Sequence, residues 1–153
     1  FMVGDNVRKH PALAQTVVES GHQIGNHTYR HLSGWKTSTQ TYLDDVASCD
    51  AILADTVGEI PRFFRPPYGW MSPGQAKGLG PAKKIVMWNL LSYDFDSRES
   101  SEILIRECAS RTAPGTIVVF HDQQKTQAQL KKVLPDYLDF LVGEGYTTQL
   151  LEG

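Results

Sequence analysis

A chain of 153 residues, 41% hydrophobic and 21% charged, is long enough to bury its own core and has the composition of an ordinary globular domain. A formal net charge of −2 offers none of the basic surface that nucleic acid demands, and no apolar run approaches the roughly twenty residues needed to span a bilayer. Cys49 and Cys108 stand alone inside helical patterns and read as small buried hydrophobes rather than as a disulfide.

In chain order, FMVG at residues 1–4 reads as a strand already in progress, which suggests a piece of a longer domain. Val7, Leu13, Val17 and Val18 then outline one helix over Asn6 to Ser20, stopped by Gly21. HQIGNH is a second short strand. TSTQ at 37–40 fits a capping box, and Tyr42, Val46, Cys49 and Leu53 recur on one helical face after it. RFFR is a strand closed by the irregular loop PPYG, and a short helix covers 73–79. KIVMWNLL reads as a fully buried strand. Asp96 and Glu99 resemble a cap pair opening a helix through Thr112, with Ile103, Leu104 and Cys108 inward. GTIVVFHD is another buried strand; 126–143 forms a helix on Leu130, Leu134, Leu138 and Leu141; YTTQLL is the last strand. Strand and helix alternate about five times with no linker or repeat, which predicts one domain over 1–153, an α/β fold with a parallel sheet, open or closed as a barrel.

In such a fold function collects where the strands end. One strand leads into His27 and His31, another into Arg65, Tyr68 and Trp70, a third into Asp94 and Phe95, and a fourth ends on His121. Scattered at random, these groups would mostly fall on helix surfaces. A His-x-x-x-His pair on one helical turn points both rings the same way, and neutral imidazoles bind zinc readily. A catalytic zinc uses three protein ligands and an open position, and two are visible. His10 and His22 match no pattern.

HTYRH, RPPYG, SYDFD and VFHD, in this order and spacing, resemble the polysaccharide deacetylase family, the NodB-homology enzymes of carbohydrate esterase family 4. The resemblance spans essentially the whole chain. It implies a distorted (β/α) barrel of parallel strands and metal-dependent removal of acetyl groups from an N- or O-acetylated carbohydrate. It makes His27 and His31 two ligands of a divalent metal, most simply zinc, that polarises the acetyl carbonyl and acidifies the attacking water. Tyr68 would offer its backbone N–H to the oxyanion. His121 would be the general acid, and Asp94 would orient its ring and favour its charged form. Phe95 and Val119 fall where the family lines its acetyl pocket with tryptophan and leucine, and Trp70 is a candidate platform for a sugar.

The family opens on a strand ending in Thr-Phe-Asp-Asp-Gly, which supplies a base and a third ligand, and this chain contains no such stretch. The expectation is therefore a NodB-like domain without its first strand and helix, with an open edge that lowers stability or takes a partner chain. Arg65, which the family pairs with that base, should be left without a partner. Asp5, at the end of the first strand, has no motif to support it as a ligand. Two other functions stay open: cleavage of another linear or cyclic amide on the same site, and an inactive homologue that binds glycan. Family members usually act outside the cytoplasm, often on cell walls.

Overall fold

All strand pairs run parallel, as apolar strands separated by helices require. The computed structural model describes residues 1–96 and 98–152, in two units: Phe1–Met87 with the tail from Leu150, and Trp88–Gln149. The architecture is α/β throughout.

The first unit holds helices α1 (Gly4–Lys9), α2 (Pro11–Glu19), α3 (Thr39–Val57) and α4 (Pro73–Leu79), and a sheet of β1 (Gly25–Asn26), β2 (Phe63–Phe64) and β3 (Lys84–Ile85) in that order. Gly25 pairs with Phe63 and Phe63 with Lys84. The expected first strand is reduced to one parallel bridge between Met2 and Asn26, because the chain turns helical at Gly4. The single helix expected over 6–20 is two. Pro11 has no N–H to continue α1, and the chain breaks at His10 (φ −134°, ψ 58°) before restarting with proline in the first turn of α2. That break turns Leu13 outward, 56% exposed, and puts Ala14 in the core instead.

Helix α3 supplies the spine of this unit. Tyr42, Val46, Cys49 and Leu53, the face expected from their spacing, are all at most 3% exposed. Cys49 and Leu53 pack with Val7, Ala14 and Ile24, while Tyr42 and Val46 pack with Phe64. The cap of α3 is Ser38, one residue later than expected, its Oγ accepting from the N–H of Thr41.

The second unit pairs β4 (Leu90–Leu91) with β5 (Val118–Val119) and packs α5 (Ser101–Arg111) against α6 (Gln127–Gly143). KIVMWNLL is thus not one buried strand but two short ones in different sheets. Ile85 and Met87 are 40% and 44% exposed, since β3 has a strand neighbour on one side only. Ser100, not Asp96, caps α5, and Asp96 is held instead by Arg98. The core is Leu90, Cys108, Tyr137 and Leu141. On α6 the buried stripe is Val133, Tyr137 and Leu141, so Leu138 faces out, and Ile103 on α5 likewise lies at the surface. The stripe is rotated because Tyr137 fits inward with its hydroxyl on Thr112 Oγ1 at 2.8 Å. Residues 146–151, expected as a last strand, pair with no strand among the described residues; Tyr146 packs on the core of the second unit, while 147–150 are exposed and bury no face that would repay pairing. Both cysteines are free and buried, as their setting suggested.

Candidate active site

In the first unit the site grows from Asn26, the last residue of β1. Its fully buried amide donates to the Val46 carbonyl (2.9 Å) and to Asp50 Oδ1 (2.8 Å), and its Oδ1 accepts from the N–H of Thr28. Lys83 closes this network on Asp50 at 2.6 Å. The strand end is therefore pinned, and His27 follows it. Thr28 (φ 62°) and His31 (φ 57°) are both left-handed, so the two histidines meet across an irregular turn and not on a helical turn as expected. Left-handed backbone costs a non-glycine residue about 1–2 kcal/mol, and the turn is held in it by a buried carboxylate. Asp45, 2% exposed, accepts from the N–H groups of Tyr29 and Arg30 (both 2.9 Å) and pairs with Arg30 Nε at 2.6 Å. Thr28 Oγ1 accepts from the N–H of Leu32.

The rings of His27 and His31 lie 4.9 Å apart, edge to face at 72°. His27 Nδ1 is 2.6 Å from the Arg65 carbonyl, an acceptor only, so Nδ1 carries the proton and Nε2 the lone pair. Burial pushes the His27 pKa down to about 3, with the neighbouring His31 adding to the effect. A neutral imidazole with its Nδ1 held by a carbonyl is the donor that zinc takes. This chemistry fits a divalent metal on His27 and His31. Groups of three or more candidate ligands are absent among the described residues. Asp5 is not one, as its carboxylate pairs with Arg8 (2.9 Å) and Lys9 (2.5 Å) on α1.

Arg65 is not left without a partner. It is 9% exposed, its Nε donates to the Val86 carbonyl (3.0 Å) and Nη2 to that of Met87 (3.2 Å), and its guanidinium lies 4.0 Å over the ring of Phe1. Carbonyls past the end of β3 accept from its donors where no partner was expected, and burial lowers its pKa to about 10. Three residues on, Tyr68 is again left-handed (φ 60°), and its ring meets that of His31 at 4.8 Å. Trp70 lies next along the same loop, 6.2 Å from Tyr68.

The second unit holds the other group. Asp94, 2% exposed, accepts from the His121 ring (Nδ1 to Oδ1, 2.7 Å), from the His121 backbone N–H (Oδ2, 2.7 Å) and from Ser92 Oγ (2.9 Å). Burial alone would raise the Asp94 pKa, but these three donors outweigh it and hold the carboxyl below its ordinary value. Thr126 Oγ1 donates to the carbonyl of His121 and fixes its backbone from the other side. Phe95, 42% exposed, stands edge to face on the His121 ring at 5.1 Å. Val119 pairs with Leu91 in the sheet, and its carbonyl accepts from the N–H of Ser92. Tyr93, beside Asp94, is the fourth non-glycine residue with positive φ (58°) among the described residues. All four flank a candidate site residue or are one, the pattern expected where strain is kept for function.

His27, His31, Arg65, Tyr68 and Trp70 thus belong to the first unit, and Asp94, Phe95, Val119 and His121 to the second. Sequence reasoning missed the supports: Asn26, Asp45 and Ser92. Asp45 stands three residues after Tyr42 and four before Cys49, on the buried face of α3, and a carboxylate at such a position was the signal that could have found it. Ser92, two residues before Asp94, carried a signal in its spacing, since a hydroxyl at that offset reaches a carboxylate readily.

Residues 1–77 match the family model for polysaccharide deacetylases, and the chain belongs to that family. A peptidoglycan-N-acetylglucosamine deacetylase of Bacillus cereus is 28% identical over 141 residues, 88% of this chain and 51% of that protein, so the chain spans about half the length of this relative. The family 4 esterase domain of a multidomain xylanase from a Trinervitermes trinervoides hindgut metagenome shares the fold (TM-score 0.90, 23% identity, 99% of this chain and 72% of that one). A family 4 pseudoenzyme from Bacillus anthracis shares it too (TM-score 0.84, 21% identity, 95% and 50%).

Proposed function

We propose that the chain removes acetyl groups from an acetylated carbohydrate polymer or oligomer, with N-acetylglucosamine units the substrate favoured by the relative from Bacillus cereus. A divalent metal held by His27 and His31 would supply Lewis acidity for the acetyl carbonyl and for water. The chain's own residues supply an oxyanion donor, a general acid and an apolar pocket. The backbone N–H of Tyr68 donates to the oxyanion as the carbonyl carbon becomes tetrahedral, a contact worth about 3–4 kcal/mol of barrier. His121 delivers a proton from Nε2 to the leaving nitrogen, while Asp94 holds Nδ1–H and keeps the ring oriented. Phe95 and Val119 shape the apolar pocket for the acetyl methyl. No general base is assigned to a residue of this chain.

The observation that carries this reading is the double grip of Asp94 on His121, through ring and backbone together. A module that only binds sugar needs neither an acid nor a carboxylate to orient it. The likeness to a pseudoenzyme favours one other reading, a glycan-binding module without turnover. Acetate release from penta-N-acetylchitopentaose, with zinc added, separates them. The expected result is turnover that falls about 10²–10⁴-fold in His121→Ala, the usual contribution of a general acid. Binding of the pentamer with no acetate released by the unaltered chain would leave the binding module standing.

A further inference from the structure

The rings of His27, His31, Tyr68, Trp70 and Trp35 form one unbroken succession in the first unit, with neighbouring centroids 4.9, 4.8, 6.2 and 4.9 Å apart. Its outer end is a stacked indole pair, Trp35 on Trp70, only 13° from parallel. Both are open to solvent, Trp35 at 70% and Trp70 at 44%, and Tyr68 beside them at 59%. Exposed aromatics scattered singly need no explanation, but a contiguous run of them marks a binding surface.

The pair is also built with care. Trp35 sits in a short 3-10 turn, Gly34–Lys36, and Trp70 in the loop before α4. Gln75, 1% exposed, ties the two together: its Nε2 donates to the carbonyls of Gly34 (2.9 Å) and Thr37 (3.1 Å), and its Oε1 accepts from the N–H of Ser72 (2.8 Å). Gly34 allows this approach, for a Cβ there would stand 2.5 Å from the Trp70 carbonyl oxygen. A buried amide with its donors and acceptor matched holds two exposed indoles in register, an arrangement that core packing does not require.

We infer that the Trp35–Trp70 stack is a platform for a second pyranose ring of the substrate, away from the acetyl group being removed, and that Gln75 is its positioning residue. This rests on the deacetylase reading. The occupant follows from the chemistry. A pyranose presents a face of C–H groups that lies flat on an indole while its hydroxyls stay in water, and the stack carries no charge to attract an ion. The ring succession joins the platform to His27 and His31, so the sugar it holds belongs to the chain carrying the reacting acetyl group. The platform therefore selects for length, favouring oligomers over short sugars.

The test is calorimetric binding of penta-N-acetylchitopentaose and di-N-acetylchitobiose, without added metal, to the unaltered chain and to Trp35→Ala, Trp35→Phe and Gln75→Ala. Trp35→Ala should weaken pentamer binding about tenfold and shrink the preference for pentamer over dimer, the loss expected of one aromatic anchor. Trp35→Phe should restore most of it. Gln75→Ala should abolish the exciton couplet of the paired indoles in far-ultraviolet circular dichroism and lose the length preference with it. Equal pentamer affinity in the unaltered chain and Trp35→Ala, with acetate still released, would overturn the platform and leave the deacetylase reading intact. No binding of either sugar and no acetate released would overturn both.

Discussion

His27 and His121 both follow the end of a strand, and both have Nδ1 held by an oxygen at 2.6–2.7 Å, yet the oxygens differ. His27 donates to a neutral carbonyl, that of Arg65, and burial drives its pKa down to about 3. His121 donates to the carboxylate of Asp94, in a group with three donors on that one acid. A carbonyl partner fixes the tautomer and leaves the ring neutral, which suits a metal ligand. A carboxylate partner fixes the tautomer too and sets a negative charge beside the ring, the setting that the proposed general acid calls for. The charge of one neighbour thus gives the same side chain two electrostatic settings, matching the two tasks proposed for it.

The sharpest way to break this difference is Asp94→Asn, which gives His121 a neutral acceptor like the one on His27. Acetate release should drop by about 10²-fold or more while the fold persists, because the ring loses its charge partner and its assured tautomer. Single-turnover assays with matched melting curves check this. On the His27 side, Asp45→Ala removes the acceptor for two N–H groups of the histidine turn and the partner of Arg30. Leaving such groups unsatisfied should cost about 2–3 kcal/mol, read as a lower urea midpoint, and should weaken zinc binding with it. The smallest effect concerns pH. The Asp94 pKa is depressed in the folded chain, so its contribution to stability is present above the ordinary carboxylate value of 3.8 and is lost as pH falls through the lower folded value. The difference in melting temperature between the unaltered chain and Asp94→Asn should therefore shrink on acidification below 3.8; a constant difference would mean that the carboxylate gains nothing from His121.

Much of this was legible from spacing. Tyr42, Val46, Cys49 and Leu53 recur as a helix face must, and the strand-end histidines, arginine and aspartate stand where parallel strands deliver them. The backbone of the two clusters was not legible. Positive φ is signalled by glycine or asparagine, and Thr28, His31, Tyr68 and Tyr93 are neither. Their conformation is imposed by tertiary hydrogen bonds such as those of Asp45, which no local window contains. The fate of Arg65 was hidden for a related reason, since backbone carbonyls carry no residue identity. Trp35 lay in a polar loop without periodicity, and only the fold stacks it on Trp70.

Zinc titration by calorimetry tests the central contrast most directly, comparing the unaltered chain with His27→Ala, His31→Ala and with His121→Ala. The account predicts one-to-one binding that is lost in the double variant and unchanged in His121→Ala. Binding that survives loss of both His27 and His31, or that disappears with His121, would contradict the division of labour between the two histidine environments.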